Sequence, residues 1–119
     1  MNAHTRILLA FLLAVPASTM LAGGDDKAAR QEKIDLILQF QDKRTIYDGK
    51  LVAFLTDEDA MVRERAVRAF GSIQDTSVIN LLVDRLSADA GEDVRSAAAF
   101  AIGQTAGQLS RKNRESLEH

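Results

Sequence analysis

From Leu51 onward, apolar residues recur at intervals of three and four, the spacing of one face of an α-helix rather than a strand. Leu51, Phe54 and Leu55 form a short apolar stripe. After the acidic run Asp57-Glu58-Asp59, Val62, Ala66, Ala69, Phe70 and Ile73 form a second. The order then returns with Leu82 and Leu86, the acidic Asp89, Glu92 and Asp93, and Val94, Ala98, Ala101 and Ile102. This pattern predicts helix, acidic turn, helix, twice over. Upstream, Lys27 to Gln41 predicts one more helix with Ile34, Ile37, Leu38 and Phe40 on one side, and the next helix is expected to begin near Thr45 and include Tyr47. Downstream, Leu109 to His119 reads as the start of a further helix, capped by Ser110, or as a truncated end.

The two copies superimpose with an offset of 31 at the leucines and 32 from Asp57/Asp89 through Val62-Arg63/Val94-Arg95 to Gly71/Gly103, one extra residue falling in the Leu86–Asp89 turn. Such self-similarity marks a stack of supersecondary units. The units are a half repeat over 30–44, a repeat over 45–75 and a repeat over 76–107. In each turn the carboxylates are placed to cap the following helix and to face the positive end of its dipole. Gly71 and Gly103 lie late in the second helices, where glycine costs about 1 kcal/mol relative to alanine. Either a neighbouring helix approaches closely there, or each glycine is a C-cap.

The first 22 residues follow a different rule. Arg6 precedes the unbroken apolar run Ile7 to Val15, Pro16 breaks it, and Ala17, Ser18, Ala22 and Gly23 offer small residues for cleavage. A basic start, a short apolar stretch and a small-residue end describe a secretory signal. As a membrane anchor, the nine-residue run would rise only about 14 Å in a helix, roughly half of a bilayer core. Leu21-Ala22-Gly23 resembles the approach to a lipoprotein cleavage site, with Gly24 where the acylated cysteine must stand. The expected product is therefore exported, to the periplasm or beyond, with 23–29 as a flexible leader and membrane contact only through the signal segment.

Composition removes most catalytic readings. The chain has no cysteine, so disulfides, thiolate metal sites and thiol nucleophiles are excluded. Its histidines are His4, inside the signal, and His119, at the end, which leaves no imidazole for a triad, a general base or a metal. No nucleophile elbow, phosphate loop or EF-hand pattern appears. With 15 Lys and Arg against 17 Asp and Glu, the chain is too acidic for a phosphate-backbone binder, so no nucleic acid partner is expected. Asp57-Glu58-Asp59 reads as an acidic helix start rather than a cation site. No enzyme activity, metal or cofactor is expected.

The motif Leu55-x-Asp57-x-x-x-x-Val62-Arg63-x-x-Ala66, followed by a small-residue helix and Gly71, resembles the HEAT-like repeat of the phycobilisome-lyase type. The resemblance covers residues 30 to 107 and implies an all-α fold, a short right-handed α-α superhelix of helix pairs. It also implies that an Asp and an Arg six residues apart form a polar ladder between repeats, which assigns Asp57, Arg63, Asp89 and Arg95 to the scaffold. Nothing matches a chromophore pocket. A narrower resemblance, carried by Gln41-Asp-Lys-Arg44, Phe70-Gly-Ser-Ile-Gln-Asp75 and Ala97-Ala-Ala-Phe-Ala-Ile-Gly-Gln104, is to the leading repeats of exported bacterial proteins with a cyclophilin-type peptidyl-prolyl isomerase domain further along.

In repeats of this kind the second helices line the concave side. Arg65 and Arg68, three apart, share a face of the first such helix, and Phe100 and Gln104 take the corresponding region of the next. An aromatic beside two guanidinium groups suits a protein or peptide partner, and self-association stays open as well. The expected function is a non-catalytic protein–protein interaction scaffold in the bacterial cell envelope. The alternative is an N-terminal structural repeat module of a larger exported enzyme such as a cyclophilin-type isomerase.

Overall fold

A computed structural model describes residues 24–46 and 49–118, so the signal segment of 1–22 lies outside the described residues. The chain divides into two compact units, Met1–Glu32 and Lys33–His119. Every described residue of the first unit, 24–32, is helical. The expected flexible leader is thus helix from Gly24. Asp25 and Asp26 lie in the first turn, where carboxylates favour a helix start, and Lys27-Ala28-Ala29 are strong helix formers.

The second unit is all-α, with no strand among the described residues. Its first helix, α1, is the segment within 24–42 that begins at Lys33. It ends in a Schellman-type cap: Thr45 N–H donates to Phe40 O and Arg44 N–H to Gln41 O, each at 3.0 Å, with Arg44 left-handed at φ 50°. Ile37 and Phe40 are buried, whereas Leu38 faces outward.

The next helix, α2, spans Lys50–Ala53 and tightens into a 3-10 turn at Phe54–Thr56. It starts later than Thr45, because Gly49 at φ 79° supplies the turn that only glycine adopts freely. α3 runs Ala60–Ile73, capped by the Asp59 carboxylate accepting from Met61 N–H at 2.9 Å. It closes at Gln74, left-handed at φ 58°, whose N–H returns to Phe70 O. Asp75 caps a 3-10 turn at Thr76–Val78, which leads into α4, Ile79–Ala88.

The last helix, α5, runs unbroken from Glu92 to Leu117. A separate helix capped at Ser110 therefore does not form. Gly107 alone costs only about 1 kcal/mol in a helix interior, no proline intervenes, and the residues that follow are mostly good helix formers. Thr105, fully buried in α5, satisfies its hydroxyl by donating to Ala101 O at 2.8 Å.

One core joins α1 to α5. Leu51, Leu55, Val62, Phe70, Leu82, Val94 and Ala98 are all buried in it, and α5 packs along both α3 and α4. Leu86 departs from the expected pattern at 39% exposure, against 3% for its counterpart Leu55. Leu55 is covered by the next repeat, with Leu81, Asp84 and Arg85 of α4 standing across from it, and no described element stands in that position over Leu86. No described helix is long and apolar enough to cross a membrane.

Candidate functional site

Two features of the second unit carry polar chemistry: the seam between its repeats and a cleft between α3 and α5. At the seam, Asp89 is the hub. Its side chain is 1% exposed, and the Arg63 guanidinium grips both of its oxygens, Nε to Oδ2 at 2.9 Å and Nη2 to Oδ1 at 3.2 Å. Arg85 adds Nη1 to Oδ2 at 3.3 Å, and Gly91 N–H donates to Oδ1 at 2.8 Å. Burial alone would raise the Asp89 carboxyl, but these donors and the Arg63 and Arg85 charges outweigh it and hold it below the ordinary carboxylate range.

Arg63 also donates through Nη1 to the carbonyls of Asp57, at 2.8 Å, and Glu58, at 3.1 Å. One guanidinium thus ties the turn of its own repeat to the aspartate of the next. Arg95 makes the equivalent inner contact, Nη1 to Asp89 O at 2.8 Å.

The Asp57 carboxylate does not meet Arg63. It takes Lys33 Nζ of α1 at 2.7 Å and accepts from Asp59 N–H at 2.9 Å. Burial opposes ionisation of Asp57, and the Lys33 hydrogen bond and charge with the Asp59 N–H reverse that effect, lowering its pKa. The same hydrogen bond raises Lys33. Lys33 was missed as a ladder member because it is lysine rather than arginine, and no Val-Arg pair announces it. Within Asp57-Glu58-Asp59, two carboxylates are spent on Lys33 and on backbone N–H groups, and among the described residues no group of three His, Asp or Glu could hold a metal ion.

The cleft, about 160 Å³, is lined by Arg68 and Ser72 of α3 and by Ala97, Phe100, Ala101 and Gln104 of α5. Each helix offers residues four apart, which places them on one face. Gly71 is what lets the two helices close: a Cβ there would overlap Gln104 Oε1 and lie 3.1 Å from Cα and Cβ of Ala101. Gly71 is therefore a close-approach glycine and not a C-cap. Gly103, with open space around its Cα, is neither.

Phe100 stands at the rim, 66% exposed and uncovered by the C-terminal part of α5. Beside it, the Arg68 guanidinium is held by Glu64 one turn back, with Nε and Nη2 at 2.9 and 2.8 Å from Oε1. The structure thus brings Arg68, Phe100 and Gln104 together. Arg65, partly buried, is not among the lining residues. The small floor residues Ala97 and Ala101 were absent from the sequence-based site, since an alanine in a helix pattern reads as core. A second cleft, about 220 Å³, opens between the N-terminal ends of the same helices and carries Met61, Glu64, Glu92 and Asp93. The two clefts between α3 and α5 thus differ in character: one is acidic, and the other carries an aromatic ring, a guanidinium and a carboxamide, groups that stack and hydrogen-bond.

Comparison with known families matches the chain to the family described as HEAT repeats, over residues 16–103. No curated protein and no solved structure matches the chain.

Proposed function

This chain belongs to the HEAT-repeat family, and from that premise we propose that it is a non-catalytic protein-interaction scaffold whose α3–α5 cleft holds a segment of a protein partner in the bacterial cell envelope. The observation that carries this reading is Phe100. An aromatic side chain two-thirds exposed, on a floor of alanines and beside a guanidinium paired with Glu64, has the make-up of an interface anchor. The Glu64 carboxylate pre-orients Arg68, so less side-chain entropy is lost when a partner's carboxylate or carbonyl docks. Gln104 offers both a donor and an acceptor to a peptide backbone. The envelope location rests on the leader of 1–22, and the lyase-type subdivision of the repeat on the Arg63–Asp89 pairing.

Affinity capture from an envelope extract tests the reading, comparing the chain with an Arg68→Glu/Phe100→Ala form of unchanged circular dichroism. A protein retained by the first and lost by the second is the expected outcome, with an Arg65→Glu form retaining it. Equal capture by all three, or no capture, counts against the cleft.

A further inference from the structure

We propose that the exposed face of α5 is a self-association surface, on which α5 of a second copy of this chain packs antiparallel and crosses at Gly103.

Gly103 is the centre of a palindrome of residue size and charge. Ala99 and Gly107 lie four residues before and after it, Ser96 and Ser110 seven, and Glu92 and Arg114 eleven. Intervals of three and four residues keep close to the 3.6 of a helical turn, so these positions form one stripe along the helix. Every one of them is exposed. The stripe is small in the middle and charged at its ends, acidic near the helix N-terminus and basic near the C-terminus. Asp93 and Arg111, beside those ends, repeat the polarity. Glu115 is turned about 100° from Arg114, and Glu118 follows the last residue of α5. No residue of the stripe lines the Phe100 cleft, and this surface does not depend on that one.

Within a single chain the stripe has no partner. Glycine weakens a helix interior, yet nothing lies within 4 Å of a Cβ built at Gly103 or Gly107, so no neighbour in the chain requires either. From Ala106 to Leu117, α5 has no buried side chain. Among the described residues, Glu92 and Arg114 form no ion pair.

Symmetry selects the occupant. About a twofold axis, residue i meets residue j and j meets i. With the axis at Gly103, an antiparallel copy sets Glu92 against Arg114, Ser96 against Ser110 and Ala99 against Gly107, each pair twice. Opposite charges meet at both ends. At the centre, facing glycines admit the helices to the short end of interaxial spacings, about 8 Å. The antiparallel sense also lays the positive end of each helix beside the negative end of the other. A parallel pair would instead set Glu92 on Glu92 and Arg114 on Arg114. A membrane is a poor occupant, because the stripe carries no large apolar side chain, and a partner of different sequence does not call for a palindrome. With little apolar surface to bury, the dimer is weak and depends on concentration.

Sedimentation velocity over a concentration series reads the dimer. The natural chain is expected to shift from monomer to dimer as concentration rises, and Gly103→Leu to stay monomeric with an unchanged circular dichroism spectrum. A Glu92→Arg chain and an Arg114→Glu chain are expected to associate more strongly when mixed than either does alone, since only the mixed dimer has opposite charges at both ends. Disulfide formation then reports the register. The chain has no cysteine of its own, so a Ser96→Cys chain mixed with a Ser110→Cys chain should give the mixed disulfide faster than either gives its own. A natural chain monomeric throughout, a dimer that survives Gly103→Leu, a charge-variant mixture no more associated than its components, or preferential 96–96 and 110–110 disulfides overturns the proposal.

Discussion

Asp89 shows how much one side chain carries at a repeat seam. It pairs with both Arg63 and Arg85 and accepts from Gly91 N–H in its own turn while almost wholly removed from water. Deleting one member of such a buried pair leaves the other without a counter-charge, and Asp89→Ala is expected to cost about 3 kcal/mol or more. Asp57→Ala, whose partner Lys33 is 42% exposed, costs less, because water screens and replaces that pair. The pH dependence follows from the same contacts. Asp57, Asp75 and Asp89 have lowered folded pKa values, so their contribution is complete above the unfolded carboxylate value of about 3.9 and is lost as pH falls through the folded ones. Lys33 is raised, so its contribution holds below about 10.4 and fades as pH rises through its folded value. Urea midpoints taken from pH 7 down to about 2.5 should therefore fall below pH 4, with a shallower decline in Asp89→Asn. An identical slope in that variant would remove Asp89 from the account.

At the scale of the helix, contact geometry decides what each repeated residue does. Gly71 and Gly103 occupy the same place in the pattern, yet one is pressed against Ala101 and the other opens to space. Helix propensity favours Gly71→Ala by about 1 kcal/mol, but the new methyl meets the backbone of α5. Overpacking of this kind costs about 1–3 kcal/mol. Net destabilisation is expected, read as a lower thermal midpoint. A higher midpoint would show that α3 and α5 can separate without loss. Phe70, fully buried on the same helix, should be far less forgiving. Phe70→Ala removes its packing and leaves a cavity worth about 3–5 kcal/mol, enough to unfold so small a stack. A melting curve little changed by it would place Phe70 outside the core.

For the whole molecule, the governing fact is that each repeat buries its apolar surface both between its own two helices and against its neighbour. That is why α5 packs on both α3 and α4, and why the charged seam matters as much as the apolar core. Repeats stacked this way present one groove between successive second helices, where Arg68, Phe100 and Gln104 meet. They also present an outer face whose exposure depends on what stands next to it.

Much was legible from local pattern. Period and caps depend on residues within a turn or two of one another, so the helix pairs, the acidic cap of α3, the repeat register and most of the core could be read from spacing alone, whereas α5 starts at Gly91 with no side-chain cap. The same periodicity placed Phe100 and Gln104 opposite Arg68, because equivalent positions in stacked repeats share a side. Other properties turn on neighbours far away in the chain. Lys33 as partner of Asp57, the withdrawal of Arg65 from the cleft and the opposite fates of Gly71 and Gly103 were decided only in three dimensions. The run of α5 through Ser110 was settled by the weakness of the local break. A sequence repeat states what each unit is able to bury; only the packed structure shows which unit has a neighbour to bury it against.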